Sequence, residues 1–290
     1  MPHDTIEHPF PAVSIVIPAY NAASTLGAQL RAIAAQDYAG STEVIVVDNR
    51  STDSTATVAG AWHESIPGLR VIRAPDRASP GHARNVGITV ASSQLILMCD
   101  ADDIVDRSWA TRLVDELHRC DAVAGGAVRW QGGPLPDAQP SAFTAGLGFL
   151  PGFSSCSAAI RKEAWAAVGG FDEELSHGED LDLAWRLQLA GFTLSDRRDA
   201  FVYYREPADV AGALRKWYRY GRSQVRLYMK HRGAGFHAER SSKVVAKWLL
   251  LALTSYRLLI DAPARYTWCR DAGRRAGRLV ESLRQRVAFF

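Results

Sequence analysis

Paired carboxylates directly after an apolar segment are the clearest chemical feature of the sequence. Asp100, Asp102 and Asp103 follow the run QLILMC (residues 94–99), so they stand on a turn that leaves a buried strand. Two carboxylates with one residue between them can hold Mg²⁺ or Mn²⁺ together with phosphate oxygens, because these cations prefer oxygen ligands. The alternative is an acidic, solvated turn that caps a helix. The spacing alone leaves both interpretations open.

Other polar residues also stand at the ends of apolar runs or at the start of helices. Asp48 ends the run EVIVV (residues 43–47), where its carboxylate could bind a nucleobase or ribose, or close an Asx turn. Arg84 and Asn85 lie in the first half of a predicted helix that follows Gly81. A helix N-terminus with an arginine suits a pyrophosphate. The alternative for Arg84 is an ordinary surface arginine.

A second acidic pair, Glu179 and Asp180, begins another predicted helix. One of the two could be the general base that deprotonates an attacking hydroxyl group. Alternatively, both carboxylates cap the helix and interact with its dipole. Asp182 and Arg186 are four residues apart on the same helix, a pair worth about 0.3 kcal/mol if it is exposed.

The elements that would position these side chains alternate between strand and helix. Apolar runs predict strands, and apolar residues three and four apart predict helices. The predicted strands are residues 13–17, 43–47, 69–73, 94–99, 122–130, 157–160 and, as an edge strand, 201–204. Residues 131–152 are rich in Gly and Pro and predict a long loop. The pattern indicates an α/β fold with a mainly parallel sheet, in which ligands bind at the carboxyl ends of the strands.

The charge is divided unevenly along the 290 residues. Residues 1–200 contain 15 Lys and Arg against 25 Asp and Glu, whereas residues 201–290 contain 19 against 6. This division indicates two regions with different partners. The four cysteines are too widely spaced for a zinc site or a disulfide framework, which favours a reducing cytoplasm. The first ten residues lack the basic start and apolar core of a signal peptide.

The basic region beyond Pro207 has the pattern of amphipathic helices. Residues 214–232 read LRKWYRYGRSQVRLYMKHR, and residues 248–260 form an apolar run of 13 residues that contains Arg257. Such a run is too short to span a bilayer, which needs about 20 residues. The apolar stripe could pack on the preceding domain or on another protomer, or it could lie on an anionic membrane surface. Nucleic acid is not an expected partner, because no recognition motif accompanies the charge.

Taken together and in this order, six segments resemble the inverting family 2 glycosyltransferases of the glycosyltransferase A fold. The segments are VSIVIPAYNA, VIVVDNRSTDST, ARNVGI, LILMCDADD, GGFDEE and GEDLDLAWRL, and they cover about residues 13–204. The resemblance implies a catalytic domain over residues 1-206, with a mainly parallel Rossmann-like sheet flanked by helices. A basic, amphipathic helical extension would follow over residues 207-290. The implied reaction uses a nucleotide diphosphate sugar and a divalent metal, Mn²⁺ or Mg²⁺, and proceeds by direct displacement with inversion.

The resemblance also assigns roles to individual residues. The residues expected around the donor are Pro18, Tyr20, Asn21, Asp48, Arg84, Asn85 and Asp100. Among them, Asp48 is expected to bind the base and ribose, and Asp100 with Asp102 to hold the metal and the diphosphate. Asp180 matches the catalytic base, with Glu179 as its supporting partner. The residues expected on the acceptor side are Phe171 and Asp172.

Two segments depart from the family pattern. Residues 48–50 read DNR where DDG is the common form, which leaves the selectivity for the nucleobase open. Residues 203–205 read YYR, where many relatives carry a histidine that joins the metal ligands. The resemblance therefore implies either an incomplete set of metal ligands or a weak dependence on the metal.

The sequence as a whole predicts a glycosyltransferase of the hexosyltransferase type that works in cell-surface glycan or glycolipid synthesis. We expect a glycan or lipid-linked acceptor, a cytoplasmic location that is peripheral on the inner face of the plasma membrane, and a homo-oligomer as an alternative use of the tail. A sugar nucleotidyltransferase is one alternative, but the segment PAYNAAS lacks the Gly-rich basic loop that such an enzyme needs. A non-catalytic nucleotide-sugar-binding scaffold is the other, and it would not need both acidic pairs.

Overall fold

The structure, a computed structural model, describes residues 10–142, 147–206 and 209–290, which form two compact units. Among these residues, the first unit contains 10–142, 151–174 and 179–205. The second unit contains 147–150, 175–178, 206 and 209–290. The limits of a catalytic domain at 1-206 and a tail at 207-290 stay a prediction.

One sheet of nine strands forms the centre of the first unit. The strands are β1 (Val13–Ala19), β2 (Thr42–Asp48), β3 (Leu69–Arg73), β4 (Leu95–Cys99), β5 (Ile104–Val105), β6 (Ala122–Trp130), β7 (Ser141–Ala142), β8 (Ser157–Arg161) and β9 (Leu194–Arg205). Their order is β3-β2-β1-β4-β8-β6-β9-β5, and β7 pairs with β6. Strands β3, β2, β1 and β4 are parallel, which is the Rossmann-like part that the sequence predicted. Strand β8 runs antiparallel to both β4 and β6, so the rest of the sheet is mixed.

Helices cover both faces of this sheet. They are α1 (Leu26–Ala34), α2 (Thr55–Gly60), α3 (Pro80–Val90), α4 (Trp109–Leu117), α5 (Lys162–Ala167) and α6 (Glu179–Leu189). Successive strand residues point to opposite faces. Ile15 therefore packs in the core with α1, α2 and α4, whereas Val16 packs in the core with α3, α5 and α6. Helix α3 lies close to the strands, because a Cβ atom on Gly87 would come within 2.5 Å of the Val16 side chain.

The last strand is longer and more interior than the sequence predicted. Residues 201–204 were expected as an edge strand, but β9 spans Leu194–Arg205 and pairs with β6 on one side and β5 on the other. The first half of β9 is rich in charged residues, which form ion pairs such as Arg197 with Asp199 and Arg198 with Asp196. These charges hide the alternation by which a strand is recognised. The predicted loop at 131–152 contains β7, and its residues 143–146 lie outside the described residues.

The second unit is helical in its described residues. Its helices are α7 (Val210–His231), α8 (Ser241–Leu253) and α9 (Ala262–Gln285), with 3₁₀ turns at Arg232–Ala234 and Ser255–Leu259. Helices α7 and α9 approach each other closely, because a Cβ atom on Gly221 would overlap the carbonyl oxygen of Arg274. Likewise, one on Gly277 would overlap that of Tyr218. Within the part of the chain that the structure describes, we find no helix whose length and hydropathy would let it cross a bilayer.

Candidate active site at the carboxyl ends of the strands

The acidic loop, residues 100–103, leaves the carboxyl end of β4. Carboxylate oxygens of Asp100, Asp102 and Asp103 all lie within 4.8 Å of one another. Asp102 is exposed, whereas Asp103 is buried beneath it. The cluster offers only hard oxygen ligands, a donor set that fits Mg²⁺ or Mn²⁺. The structure thus brings Asp103, which the resemblance made a variable neighbour able to share the metal, close to Asp100 and Asp102.

Gln29 and Arg205 hold the acidic loop in place. Neither was predicted as a site residue. The Gln29 amide is fully buried, donates to the Asp100 carbonyl oxygen at 3.0 Å and accepts from the Val105 backbone N–H at 3.0 Å. The Arg205 backbone N–H donates to the Asp103 carboxylate at 2.8 Å, and its Nε donates to the Asp102 carbonyl oxygen at 3.0 Å. Gln29 could have been found from the sequence, because it is a polar residue on the apolar face of α1.

Arg205 also bears on the histidine that this sequence lacks. Its guanidinium carbon lies 4.4 Å from the centre of the Trp130 ring, a cation–π contact that fixes the side chain. An arginine cannot act as a neutral nitrogen ligand, since it stays protonated. Where many relatives carry a histidine that can bind the metal, this chain therefore has Arg205, which binds the acidic loop.

Arg84, on α3, connects the acidic loop to the second acidic pair. Its Nη2 donates to the Asp100 carboxylate at 2.6 Å, and its Nη1 donates to the Glu179 carboxylate at 2.9 Å. Only 4% of the residue is exposed, so the interpretation of Arg84 as a surface arginine is wrong. Burial lowers the pKa of the guanidinium, but the carboxylates of Asp100 and Glu179 outweigh it and raise that pKa above its ordinary value. Binding of the donor by Arg84 stays a prediction.

Glu179 and Asp180 occupy the first turn of α6, at the other end of this bridge. Burial and the neighbouring carboxylate of Asp180 raise the pKa of Glu179 to about 7, against the attraction of Arg84. Burial also raises the pKa of Asp180, while Arg84 and a hydrogen bond from the Leu181 backbone N–H (2.8 Å) lower it. A half-buried carboxylate with a raised pKa is a better proton acceptor than an exposed one, which is what a general base requires.

The pair of Asp182 and Arg186 is stronger than the sequence suggested. Asp182 is fully buried, and Arg186 Nε donates to it at 2.8 Å. The two terminal nitrogens of Arg186 donate to the carbonyl oxygens of Val168 and Gly170 at 2.5 and 2.6 Å. The pair therefore attaches α6 to the turn before Phe171. The value of about 0.3 kcal/mol applied to an exposed pair, and Asp182 is buried.

The bridge made by Arg84 leads to a stability prediction. Replacing Arg84 by Met is expected to lower the free energy of unfolding by about 3–5 kcal/mol, because it leaves two carboxylates without their buried partner. The matched control is Arg77→Met. Arg77 pairs with Glu174 at 2.5 Å, but that pair is exposed and is expected to contribute less than about 1 kcal/mol. Urea unfolding gives the free energy of unfolding of both variants. If both lost the same amount, the buried ion pairs of Arg84 would not stabilise the protein as proposed.

Asp48 is the last residue of β2 and Asn49 follows it, and their side chains make different contacts. The Asp48 carboxylate accepts from the Ser51 backbone N–H at 3.0 Å and so holds the loop after β2. This bond spans three residues, whereas the Asx turn that the sequence left open spans two. The Asn49 amide nitrogen donates to the carbonyl oxygens of Ala74 and Arg77, both at 2.7 Å, and its oxygen accepts from the Ser79 backbone N–H at 3.1 Å. An aspartate could not make both donations. Asn49 in place of the second aspartate of DDG is therefore explained, because it fixes the segment that leads into α3. Its contacts do not explain Arg50, which has a φ of 69° where glycine is the common residue.

The residues that follow β1 lie beside the loop after β2. Tyr20 is 63% exposed, and Pro18 is the second-last residue of β1, paired with Val47. The Asn21 side-chain oxygen accepts from the Thr52 backbone N–H at 2.8 Å, and its own backbone N–H donates to Ser51 Oγ at 3.0 Å. The structure thus brings two of the predicted donor segments together. Contact with a nucleotide stays a prediction for each of these residues.

Asn85 holds the segment expected on the acceptor side. Its amide nitrogen donates to the Phe171 carbonyl oxygen and to Glu173, both at 2.9 Å, and its oxygen accepts from the Phe171 backbone N–H at 2.8 Å. The Asp172 carboxylate accepts from the Glu174 backbone N–H at 3.0 Å. Since Phe171 also lies 5.7 Å below the Arg84 guanidinium, helix α3 contacts both the acidic loop and this segment. Asn85 therefore has a visible positioning contact, while its role at the donor stays a prediction.

The sequence of the chain is similar to those of known glycosyltransferases. A sequence model described as Glycosyl transferase family 2 matches residues 14–171, and one described as Glycosyl transferase family group 2 matches residues 141–269. Glycosyltransferase AglE of Haloferax volcanii is 28% identical over 238 residues, which are 77% of this chain and 76% of that protein. The succinoglycan biosynthesis protein ExoA of Rhizobium meliloti is 28% identical over 234 residues, covering 75% and 70% of the two chains.

Two solved structures share the fold. The mannosyltransferase PcManGT of Pyrobaculum calidifontis, in complex with GDP-Man and Mn²⁺, has a TM-score of 0.67 at 19% identity and covers 94% of this chain and 87% of its own. TarS of S. aureus, in complex with UDP, has a TM-score of 0.55 at 20% identity and covers 96% and 93% of the two chains. These likenesses confirm the overall α/β fold that the sequence predicted.

Proposed function

The chain belongs to glycosyl transferase family 2 and is a glycosyltransferase with the glycosyltransferase A fold, and from this premise we propose that it inverts the anomeric carbon of a nucleotide diphosphate sugar. The observation that carries the proposal is the double ion pair of Arg84. It joins Asp100, on the loop suited to the donor diphosphate, to Glu179, beside the proposed base. Direct displacement needs these two groups on either side of one reacting carbon.

The donor is proposed to lie along the carboxyl ends of β1, β2 and β4. One carboxylate oxygen of Asp48 accepts from the Ser51 backbone N–H, and the other is proposed to bind a ribose or base. The exposed Tyr20 ring is proposed to cover the nucleotide. Asp100 and Asp102, with Asp103, would hold Mn²⁺ or Mg²⁺. When bound there, a divalent cation supplies positive charge that stabilises the departing diphosphate. The neighbours in complex with GDP-Man and with UDP support a nucleotide donor and leave its base open.

Asp180 is the proposed general base. It accepts the proton of the acceptor hydroxyl as the oxygen attacks the anomeric carbon, and the bond from that carbon to the diphosphate breaks. Glu179 is proposed to support it by keeping Arg84 in place. Phe171 and Asp172 are proposed to line the acceptor side, where Asn85 fixes their backbone.

The proposed setting is cell-surface glycan or glycolipid synthesis at the inner face of the plasma membrane. Support comes from the relative named for succinoglycan biosynthesis. A sugar of the hexose type and a glycan or lipid-linked acceptor hydroxyl are the corresponding proposed substrates.

A thermal-shift screen tests the proposed donor class. UDP, GDP, CDP and dTDP are each added with Mn²⁺ to the purified chain. A nucleotide at 100 times its dissociation constant adds about 2.7 kcal/mol of stability, which is roughly 4–5 °C in Tm for a protein of this size. We expect one or two of the four to give such a shift. The absence of a shift with all four would contradict the proposed donor class.

A further inference from the structure

Helix α8 and the residues that follow it expose several large apolar side chains. We call this set of side chains the α8 surface. Each of its members is between 56 and 89% exposed. They are Val245, Leu249, Leu250, Leu253, Tyr256, Leu259 and Ile260. Single exposed apolar residues are common, but seven within 16 residues indicate an interaction surface.

Positive charge accompanies this surface. Residues 240–260 contain Arg240, Lys243, Lys247 and Arg257 and no Asp or Glu. Lys247 is paired with Glu239 at 2.5 Å, whereas Arg240 and Lys243 are exposed near the beginning of the helix. Glu239 and Asp261 flank this stretch, so the four cations exceed the two neighbouring carboxylates. An apolar face with an excess of cations is typical of a helix that lies in the interface of an anionic membrane.

The aromatic residues of α7 lie among basic residues in the sequence, but their rings make contacts inside the unit. The Tyr228 ring stacks on Phe289 with a centroid distance of 4.6 Å, and Trp217 packs against Tyr220 at 5.3 Å. Two arginines of the same helix, Arg222 and Arg226, donate to the fully buried Glu281 at 2.8 and 3.3 Å. Helix α7 is therefore committed to packing on α9, and the exposed apolar area lies on α8.

We propose that the α8 surface docks the protein on an anionic lipid bilayer. Helix α8 has 13 residues and is about 20 Å long, so it can lie in the interface but cannot cross a hydrocarbon core of about 30 Å. The leucine side chains enter the boundary between headgroups and acyl chains, and Arg240, Lys243 and Arg257 meet lipid phosphates. This inference rests on the proposed peripheral location and not on the proposed reaction.

Charge also decides between the bilayer and a second copy of the chain. In a symmetric dimer the same patch meets itself, so the cations of one α8 surface would face the cations of the other. No acidic residue between 240 and 260 is available to neutralise them. A bilayer with anionic headgroups supplies the missing negative charge.

Co-sedimentation of the full chain with vesicles tests the proposal. One vesicle contains equal amounts of phosphatidylglycerol and phosphatidylcholine, and the other contains phosphatidylcholine alone. We expect binding to the first at low salt, weakening as salt is raised, and much weaker binding to the second. The combined variant Leu249→Ser, Leu253→Ser and Leu259→Ser is expected to lose on the order of a thousandfold in affinity, because each leucine contributes about tenfold.

The matched control changes exposed apolar residues on α9. Val280 and Leu283 are 44 and 66% exposed, and the combined variant Val280→Ser and Leu283→Ser is expected to bind within about twofold of the unchanged protein. Circular dichroism checks that both variants are folded. The proposal is overturned if the unchanged protein stays in the supernatant with anionic vesicles at low salt, or if the leucine variant binds as tightly. A salt-insensitive dimer that the leucine changes dissociate, without vesicle binding, also overturns it. Nucleotide binding is measured on the same sample. A protein that binds the nucleotide but not the vesicles overturns the docking proposal and leaves the proposed donor site standing.

Discussion

Replacing Asp180 by Asn is expected to lower sugar transfer by roughly 10²–10⁴-fold while the donor still binds. The amide keeps the shape of the carboxylate but cannot accept the proton of the attacking hydroxyl. Burial raises the pKa of Asp180, so the acid limb of the rate profile is expected above the ordinary aspartate value of about 4. Steady-state transfer and donor affinity, measured on the same preparation, separate the chemical step from binding.

Asp115→Asn provides the matched control for this change. Asp115 is an exposed aspartate on α4, on the opposite face of the sheet from α6, and its partner Arg197 lies 3.2 Å away. Transfer by this variant is expected to stay within about twofold of the unchanged enzyme. If a folded Asp180→Asn enzyme turned over at a near-normal rate, another group would have to be the base.

Substitution of the acidic loop is expected to have the second-largest effect. Asp102→Asn should weaken Mn²⁺-dependent donor binding by about tenfold or more, because a neutral amide replaces one of three clustered carboxylates. Asp102 is exposed, so its substitution is expected to change the free energy of unfolding by less than about 0.5 kcal/mol. Calorimetric titration with the preferred nucleoside diphosphate measures the affinity.

Asp100→Asn provides a useful contrast, since this residue also pairs with Arg84 at 2.6 Å. We expect it to weaken donor binding similarly and also to lower the free energy of unfolding by about 1–3 kcal/mol. Unchanged donor affinity in both variants would remove the acidic loop from the donor site.

The parts of the site that could be predicted from sequence are those whose position follows from local pattern. An apolar strand followed by polar residues predicts a carboxyl-end site, and Asp48 and Asp100 lie where this rule placed them. The strands 69–73 and 122–130 have the predicted limits because turn residues bound them on both sides.

The contacts that hold the site together could not be predicted in this way. The partners of Arg84 are 16 and 95 residues away, and Arg205 contacts a loop that lies 102 residues before it. Residue type alone cannot tell a buried arginine that bridges two carboxylates from an exposed one, because the difference depends on the packing of α3. Gln29 was not predicted either, although its sequence position carried a signal: a glutamine in an apolar helix stripe needs buried hydrogen-bond partners.

In the second unit, the sequence likewise did not predict which helix exposes its apolar residues. Both α7 and α8 combine basic and large apolar or aromatic residues, so the sequence marked the whole region as amphipathic. Glycines at 221 and 277 let α7 and α9 pack closely, and this packing uses the aromatic rings of α7. The exposure of α8 follows from that pairing, which a helix-by-helix pattern does not contain.

Calorimetric titration of the unchanged protein, with Mn²⁺ and again after EDTA, tests the central claim most directly. The claim is that one loop, residues 100–103, holds both a divalent metal and the diphosphate of a nucleotide sugar. We predict binding of a nucleoside diphosphate with Mn²⁺ and a loss of affinity of about tenfold or more after EDTA treatment. Equal affinity in the two titrations would contradict the account.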